Sequence, residues 1–218
     1  LDRLWEVDFR AAPDANAPVP AGLARIDHVA QTMSFEEMQS WVLFYTSLLQ
    51  TQKAPMVDVI DPAGIVRSQA IEAPDGGFRI TLNGAENSRT MAGHFLAESY
   101  GSSVQHIALA THDIFATAAA LAANGFAPLA ISPNYYDDLE ARFALDPAFT
   151  DRLRAAHLLY DRDDAGEFFQ LYSQTYGEGF FFEIVERRGG YRGYGAANAP
   201  FRIAAQKRAF RPAGMPRH

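Results

Sequence analysis

From Arg25 onward the chain alternates short apolar-polar runs with stretches of helical spacing, and it does so twice. "RIDHVAQT" (25–32) alternates as a half-buried strand does. Ser34 and Glu37 then form an S-x-x-E capping box that opens a helix. Met38, Trp41, Val42, Tyr45, Leu48 and Leu49 give that helix an apolar stripe. Strands are predicted at 56–60, 64–72 and 78–83, the last two joined by the turn "APDGG", with a short helix at 88–98. The order restarts at "SSVQHIALAT", where Asp113 caps a helix ending at "NG" (124–125). Strands follow near 157–162, 167–173 and 179–187, with "DRDDAGE" (161–167) as a hairpin turn and a last helix over 200–208.

The pattern is β-α-β-β-β used twice, with the second unit longer, mostly through residues 134–156. Such a duplication lets two half-open sheets close around a cleft. The predicted fold class is therefore α+β. Its organisation is an N-terminal strand ("LWEVDF", 4–9) and Ala/Pro-rich linker over 1–23, two modules at 24–100 and 101–187, a closing loop and helix at 188–208, and a tail at 209–218.

Both opening strands carry the same signature of polar residue, His, branched apolar residue, Ala: "DHVA" and "QHIA". Strand alternation places His28 with Ile26 and Ala30, His106 with Val104 and Ala108, and Glu183 with Phe181 and Val185. Three ionisable groups thus project from apolar strand faces, where each needs a partner or a metal. Two imidazoles and one carboxylate make a facial set that suits Fe(II) and leaves three octahedral positions open. The same residues are also compatible with two core histidines bonded to backbone and a carboxylate paired with an arginine. Arg79 falls roughly where Glu183 falls in the second unit, which implies one metal site rather than two. Metal-ligating imidazoles need acceptors behind them, so such partners are expected for both histidines.

Composition narrows the classes. The 218 residues are 48% hydrophobic and 21% charged, ordinary for a globular chain. A net charge of -7, with basic clustering confined to the C-terminal tail, disfavours nucleic acid. The absence of cysteine excludes disulfides and thiolate metal sites and fits a reducing compartment. No apolar run reaches membrane-spanning length and no signal-peptide pattern is present, so a cytoplasmic location is expected. The sequence begins at Leu1, which leaves room for an upstream segment. His94, His112, His157 and His218 sit on a polar helix, beside a cap, before a strand and at the terminus, none in a metal-binding pattern. "DRDDAGEFFQLY" fails as a calcium loop, with Ala165 at its fifth and Tyr172 at its twelfth position. "GGYRGYG" (189–195) lacks the layout of a phosphate loop.

The stretches "DHVAQ", "VQHIALATHDI", "NYYDDLEARF", "LLYDRDDAGEFFQLYS", "FFFEIVERRGG" and "GYGAANAPF" resemble, in order, the C-terminal half of the 4-hydroxyphenylpyruvate dioxygenase family, over residues 24–208. That family belongs to the vicinal oxygen chelate superfamily of βαβββ modules. The resemblance implies Fe(II), or another divalent ion such as Mg, Mn, Co or Zn, held by His28, His106 and Glu183. It implies a substrate pocket built from Ser68, Asn83, Gln105, Gln170, Tyr172, Phe181, Tyr194 and Asn198. It also implies oxidation of a 2-oxo acid by O₂ with decarboxylation, in a homo-oligomer. Simple alternation points Gln105 away from the face of His106.

Two departures stand out. Met91 lies near the place of a pocket glutamine, and "GYGAANA" (193–199) replaces the family's G-F-G-x-G-N-F, which puts Ala199 where a phenylalanine packs on the substrate ring. The ending "ERRGGYRGYGAANAPFRIAAQ" looks more like the dioxygenase-like half fused to bacterial 3-dehydroshikimate dehydratases, in which a sugar-phosphate-isomerase-like barrel comes first. Two further readings follow: a non-catalytic or accessory metal-binding domain of such a fusion, and a glyoxalase-type isomerase with a different ligand set.

Overall fold

The computed structural model describes residues 18–209, with Val7 alone before them. The predicted strand at 4–9, most of the linker and the tail lie outside the described residues. A single curled sheet runs through the molecule in the order β2-β4-β5-β1-β6-β9-β8-β7, with β3 also paired to β4. The first half comprises β1 (Leu23–Ser34), α1 (Phe35–Leu48), β2 (Gln52–Lys53), β3 (Val57–Asp61), β4 (Gly64–Glu72), β5 (Arg79–Ala85) and α2 (Met91–Glu98). The second comprises β6 (Ser103–Thr111), α3 (Ile114–Ala123), α4 (Pro133–Phe143), α5 (Pro147–Ala155), β7 (Leu159–Arg162), β8 (Gly166–Tyr172) and β9 (Phe181–Gly189). A 3-10 turn at Ala196–Asn198 leads into α6 (Ala199–Ala209).

The two halves meet at β1 and β6, which pair antiparallel, while each pairs parallel with the last long strand of its own half, β5 or β9. This arrangement makes the halves pseudo-symmetric, and the register fixes their equivalence. Ala30 pairs with Thr81 as Ala108 pairs with Glu183. Thr81, not Arg79, therefore occupies the place of Glu183 in the first half. Arg79 instead approaches Asp27 and Glu72, at 3.4 and 3.6 Å. The first half thus offers a hydroxyl where the second offers a carboxylate, and the inference of a single site survives on a different residue.

Local signals explain the helices. Ser34 Oγ accepts from Glu37 N at 3.3 Å, but the Glu37 carboxylate bonds Ser102 Oγ instead of closing the box. On α1, Met38 and Val42 are buried against Met33, Ile71, Ile80 and Leu82, with Trp41 and Tyr45 packed at the margin. The predicted stripe ends there, because Leu48 is 67% exposed and Leu49 43%. Asp113 caps α3 through Phe115 N and Ala116 N. Residues 134–156, read only as excess length, hold α4 and α5. Each opens with a capping-type residue followed by Pro, Ser132-Pro133 and Asp146-Pro147, where the missing proline N–H costs nothing. Tyr135, Tyr136, Leu139 and Leu153 from this pair are fully buried with Leu158, Tyr160 and Phe169 in the largest core cluster. No helix among the described residues is long and apolar enough to cross a membrane.

Tyr135 joins this core to the closing segment. Its Oη accepts from Tyr160 N at 2.8 Å and lies 3.0 Å from Asn198 Oδ1. Tyr135→Phe leaves both groups unsatisfied in a buried setting, so it should lower unfolding free energy by about 1–3 kcal/mol. Urea denaturation measures this, and a loss below about 0.5 kcal/mol would show that the link is not structural.

Candidate metal centre

His28, His106 and Glu183 come from three adjacent strands, β1, β6 and β9. His28 pairs across to Ala108, and Ala108 to Glu183, so the three lie in one row with alanine in the middle. His106 stands two residues along β6, paired with Ala30. Both alanines of the repeated signature are fully buried. Their small side chains leave the space over which the flanking imidazoles and carboxylate lean toward one another. His28 Nε2 and His106 Nε2 each lie 3.4 Å from Glu183 Oε2. One ligand atom from each of the three residues lies within 4.8 Å of the others, and all three residues are buried.

Two β-bulges shape this arrangement. Between the pairs Ile26–Leu109 and His28–Ala108, β1 has one residue more than β6, and that residue is Asp27. Between Ala30–His106 and Gln31–Val104 the extra residue is Gln105, on β6. The bulges break simple alternation, so Ile26 is 56% exposed and Val104 39%, and neither shares the buried face with its histidine. Asp27, absent from the sequence reading, is brought beneath His28. Its Oδ1 lies 2.9 Å from His28 Nδ1. Arg187 donates to the same carboxylate from Nε and Nη2, both at 3.0 Å.

This support fixes the tautomer. Nδ1 of His28 donates to Asp27, and Nε2 is left to face the centre. Burial works against the Asp27 charge, but the hydrogen bonds from His28 and Arg187 outweigh it and hold the carboxyl well below its ordinary range. Burial likewise opposes charge on His28, yet the bonds to Asp27 and Glu183 raise its pKa. His106 behaves differently. Burial dominates and lowers it to about 4, despite the Glu183 carboxylate. Among the described residues its Nδ1 has no hydrogen-bond partner, so the acceptor expected behind both histidines is found there for His28 alone. The His106 ring is held instead by Phe181, stacked at 4.7 Å between centroids. Glu183 is pushed up by burial, but both histidines counter this and keep it ionised.

Behind Glu183 runs a relay. Gln170 Nε2 donates to Glu183 Oε1 at 2.8 Å, and Gln170 Oε1 accepts from Asn198 Nδ2 at 2.8 Å. Gln170 and Asn198 therefore orient the carboxylate and fasten the closing segment, rather than lining the cavity in front of the centre. Phe181, stacked on His106, does not line it either. Ser68, Asn83, Tyr172 and Tyr194 do line that cavity, together with Thr81, Ala199 and Arg202. Ser68 and Asn83 pair directly across β4 and β5. Tyr194 meets His28 edge-on at 5.1 Å. Gln105, carried by its bulge, accepts from Thr32 Oγ1 and opens into a neighbouring pocket with Met91. Thr81, Arg187 and Arg202 were not singled out in the sequence. Register would have found Thr81, but nothing local marks the two arginines.

A profile of the Glyoxalase/Bleomycin resistance protein/Dioxygenase superfamily matches residues 25–152. The chain belongs to that superfamily. Its relatives include a 3-dehydroshikimate dehydratase of Pseudomonas putida, 44% identical over 94% of this chain and 32% of that protein. Another is a 4-hydroxyphenylpyruvate dioxygenase of Pseudomonas aeruginosa, 31% identical over 89% of this chain and 55% of that one. Among solved structures, a xylose isomerase-like TIM barrel/4-hydroxyphenylpyruvate dioxygenase fusion protein superposes with a TM-score of 0.76 at 42% identity, over 95% of this chain and 32% of that one. The chain thus spans about a third of the dehydratase and just over half of the dioxygenase.

The donor set of this superfamily member fits a divalent metal. With the Nδ1 proton of His28 committed to Asp27, its Nε2 lone pair and the His106 Nε2 converge on a carboxylate oxygen. With His28 Nδ1 given to Asp27, a proton on its Nε2 as well would charge a buried ring, whereas one divalent ion satisfies all three atoms. Asp27→Asn, which removes the charged acceptor behind His28, should weaken metal affinity about 10–100-fold. Competition against a chelating dye reads this, and unchanged affinity would free Asp27 of the role. Acidification should also weaken binding. His106 is already unprotonated above about pH 4, whereas the raised pKa of His28 keeps a competing proton there, so affinity climbs with pH through and beyond the ordinary imidazole range. Affinity that stays flat from about pH 5.5 to 8 would contradict the assignment.

Proposed function

We propose that this chain is a non-haem Fe(II)-dependent dioxygenase domain of the 4-hydroxyphenylpyruvate dioxygenase kind, oxidising a 2-oxo acid with O₂ and decarboxylation. The observation that carries the reading is the convergence of two imidazoles and one carboxylate, all buried, at the floor of a cavity. His28, His106 and Glu183 would hold the metal by one face. Bound there, Fe(II) would supply Lewis-acid and redox chemistry toward a 2-oxo acid and O₂.

The rest of the chemistry belongs to the chain. Asp27 and Arg187 hold His28 in one tautomer, and Gln170 holds one oxygen of Glu183 so that the other faces the centre. Ser68 and Asn83 present a hydroxyl and an amide to the substrate from the first-half wall. The closing segment supplies Tyr194, Ala196, Ala199 and Arg202 to the cavity wall. It is tied down by Tyr194 Oη to Glu72 and by Lys207 Nζ to Asp61, the latter at 2.6 Å.

A second reading is favoured by the long match to a dehydratase of which this chain spans a third. In it, the domain is an accessory metal-binding part of a fused 3-dehydroshikimate dehydratase, and that dehydration is carried out by an upstream barrel. O₂ consumption by Fe(II)-loaded protein with a panel of aryl and alkyl 2-oxo acids separates the two. Consumption coupled to CO₂ release supports the dioxygenase, and none with any member supports the accessory role.

Even with iron, 4-hydroxyphenylpyruvate should be a poor substrate. Ala199 lines the cavity where the family packs an aromatic ring, and Met91 lines the adjacent pocket where an amide is expected. A lost hydrogen-bond partner costs roughly 1–3 kcal/mol, and a lost ring contact about 0.5–1.5 kcal/mol. The specificity constant should fall by roughly one to three orders of magnitude relative to an authentic dioxygenase. Homogentisate formation under air measures it, and comparable turnover would show that these two positions do not redirect the pocket.

A further inference from the structure

Three cations beside the cavity have carboxylate partners among the described residues. Arg187 and Arg79 share Asp27, and Lys207 pairs with Asp61. Arg202 lines the cavity in front of the candidate metal centre and makes no ion pair among the described residues. Its guanidinium lies 5.1 Å from the ring centre of Phe181 and 5.6 Å from that of Tyr172. Phe181 in turn stacks on His106, so the cation is one ring removed from the centre. A hydrogen bond from Nη1 to Gln206 Oε1, one helical turn on, aims it at 2.6 Å and leaves further donors unspent.

Charge counting makes this cation informative. A divalent ion with Glu183 and two neutral imidazoles carries one net positive charge, which the carboxylate of a bound 2-oxo acid cancels. Arg202 then remains uncompensated in a half-buried cavity whose nearby carboxylates, Asp61 and Glu72, are already engaged by Lys207, Arg79 and Tyr194. A partly desolvated guanidinium with free donors favours an anion, and its planar fork matches a carboxylate in two-point contact. The cavity is also small, about 70 Å³.

We infer that Arg202 receives a second anionic group of the substrate, so that the site takes a short 2-oxo acid bearing another carboxylate. The inference rests on the metal-centred 2-oxo acid reading above and adds the substrate class to it. Arg202 acts here as a specificity-determining residue.

The test is calorimetric binding to anaerobic Fe(II)-loaded protein, with 2-oxoglutarate and 2-oxopentanoate as probes. They share a chain length and differ in the second carboxylate. The diacid should bind about 10–100-fold more tightly. Arg202→Gln should erase most of that preference and leave the monoacid within about threefold, and Arg202→Lys should restore part of it. A merely structural role would weaken both probes together. Equal affinity for the two probes, or equal losses in Arg202→Gln, overturns the inference and leaves the 2-oxo acid reading standing. Failure of both probes to bind overturns that reading, and the inference with it.

Discussion

Three buried atoms able to ligate a metal, converging on one point, impose the condition that the rest of this structure meets. His28 Nε2, His106 Nε2 and a Glu183 oxygen converge in a setting where each alone would be costly. Such an arrangement persists only if the surroundings force it. The sheet does so by placing alanine between His28 and Glu183 and opposite His106, and the side-chain bonds do so by locking each group from behind. Asp27 and Arg187 hold one histidine, Phe181 the other, and Gln170 the carboxylate. Gln170 is locked by Asn198, and Asn198 by Tyr135 in the core of the second half. The centre is thereby coupled to helix α4 through Tyr135.

Pseudo-symmetry explains why there is one centre and one asymmetric cavity. The two halves contribute the same strand opening, and each supplies one histidine. They diverge at the next position of the shared row, where Thr81 answers Glu183. The first half then serves as the wall that carries Ser68 and Asn83. The closing helix, anchored on both halves, brings Arg202 to the same cavity.

Much of this was legible in the sequence. Periodicity gave the doubled module and most strands, and the repeated His-apolar-Ala signature marked the two histidines that the fold brings together with Glu183. What periodicity missed has a physical cause in each case. Strict alternation assumes an unbroken ladder, and the two bulges invalidate it at the site itself, hiding Asp27 and misplacing Ile26, Val104 and Gln105. Position counting aligned Arg79 with Glu183, whereas only strand register shows that Thr81 is the equivalent. The stretch 134–156 carried two cap-Pro helix starts that could have been read, while the buried roles of Gln170 and Asn198 depend on contacts between distant segments that no local pattern encodes.

The central claim is that these three side chains form one metal site. Elemental analysis after exhaustive dialysis tests it most directly, comparing the unmodified protein with Glu183→Ala. The account predicts close to one divalent metal per chain in the former and almost none in the latter, because two imidazoles alone leave the set incomplete. Full retention of metal in Glu183→Ala would contradict it.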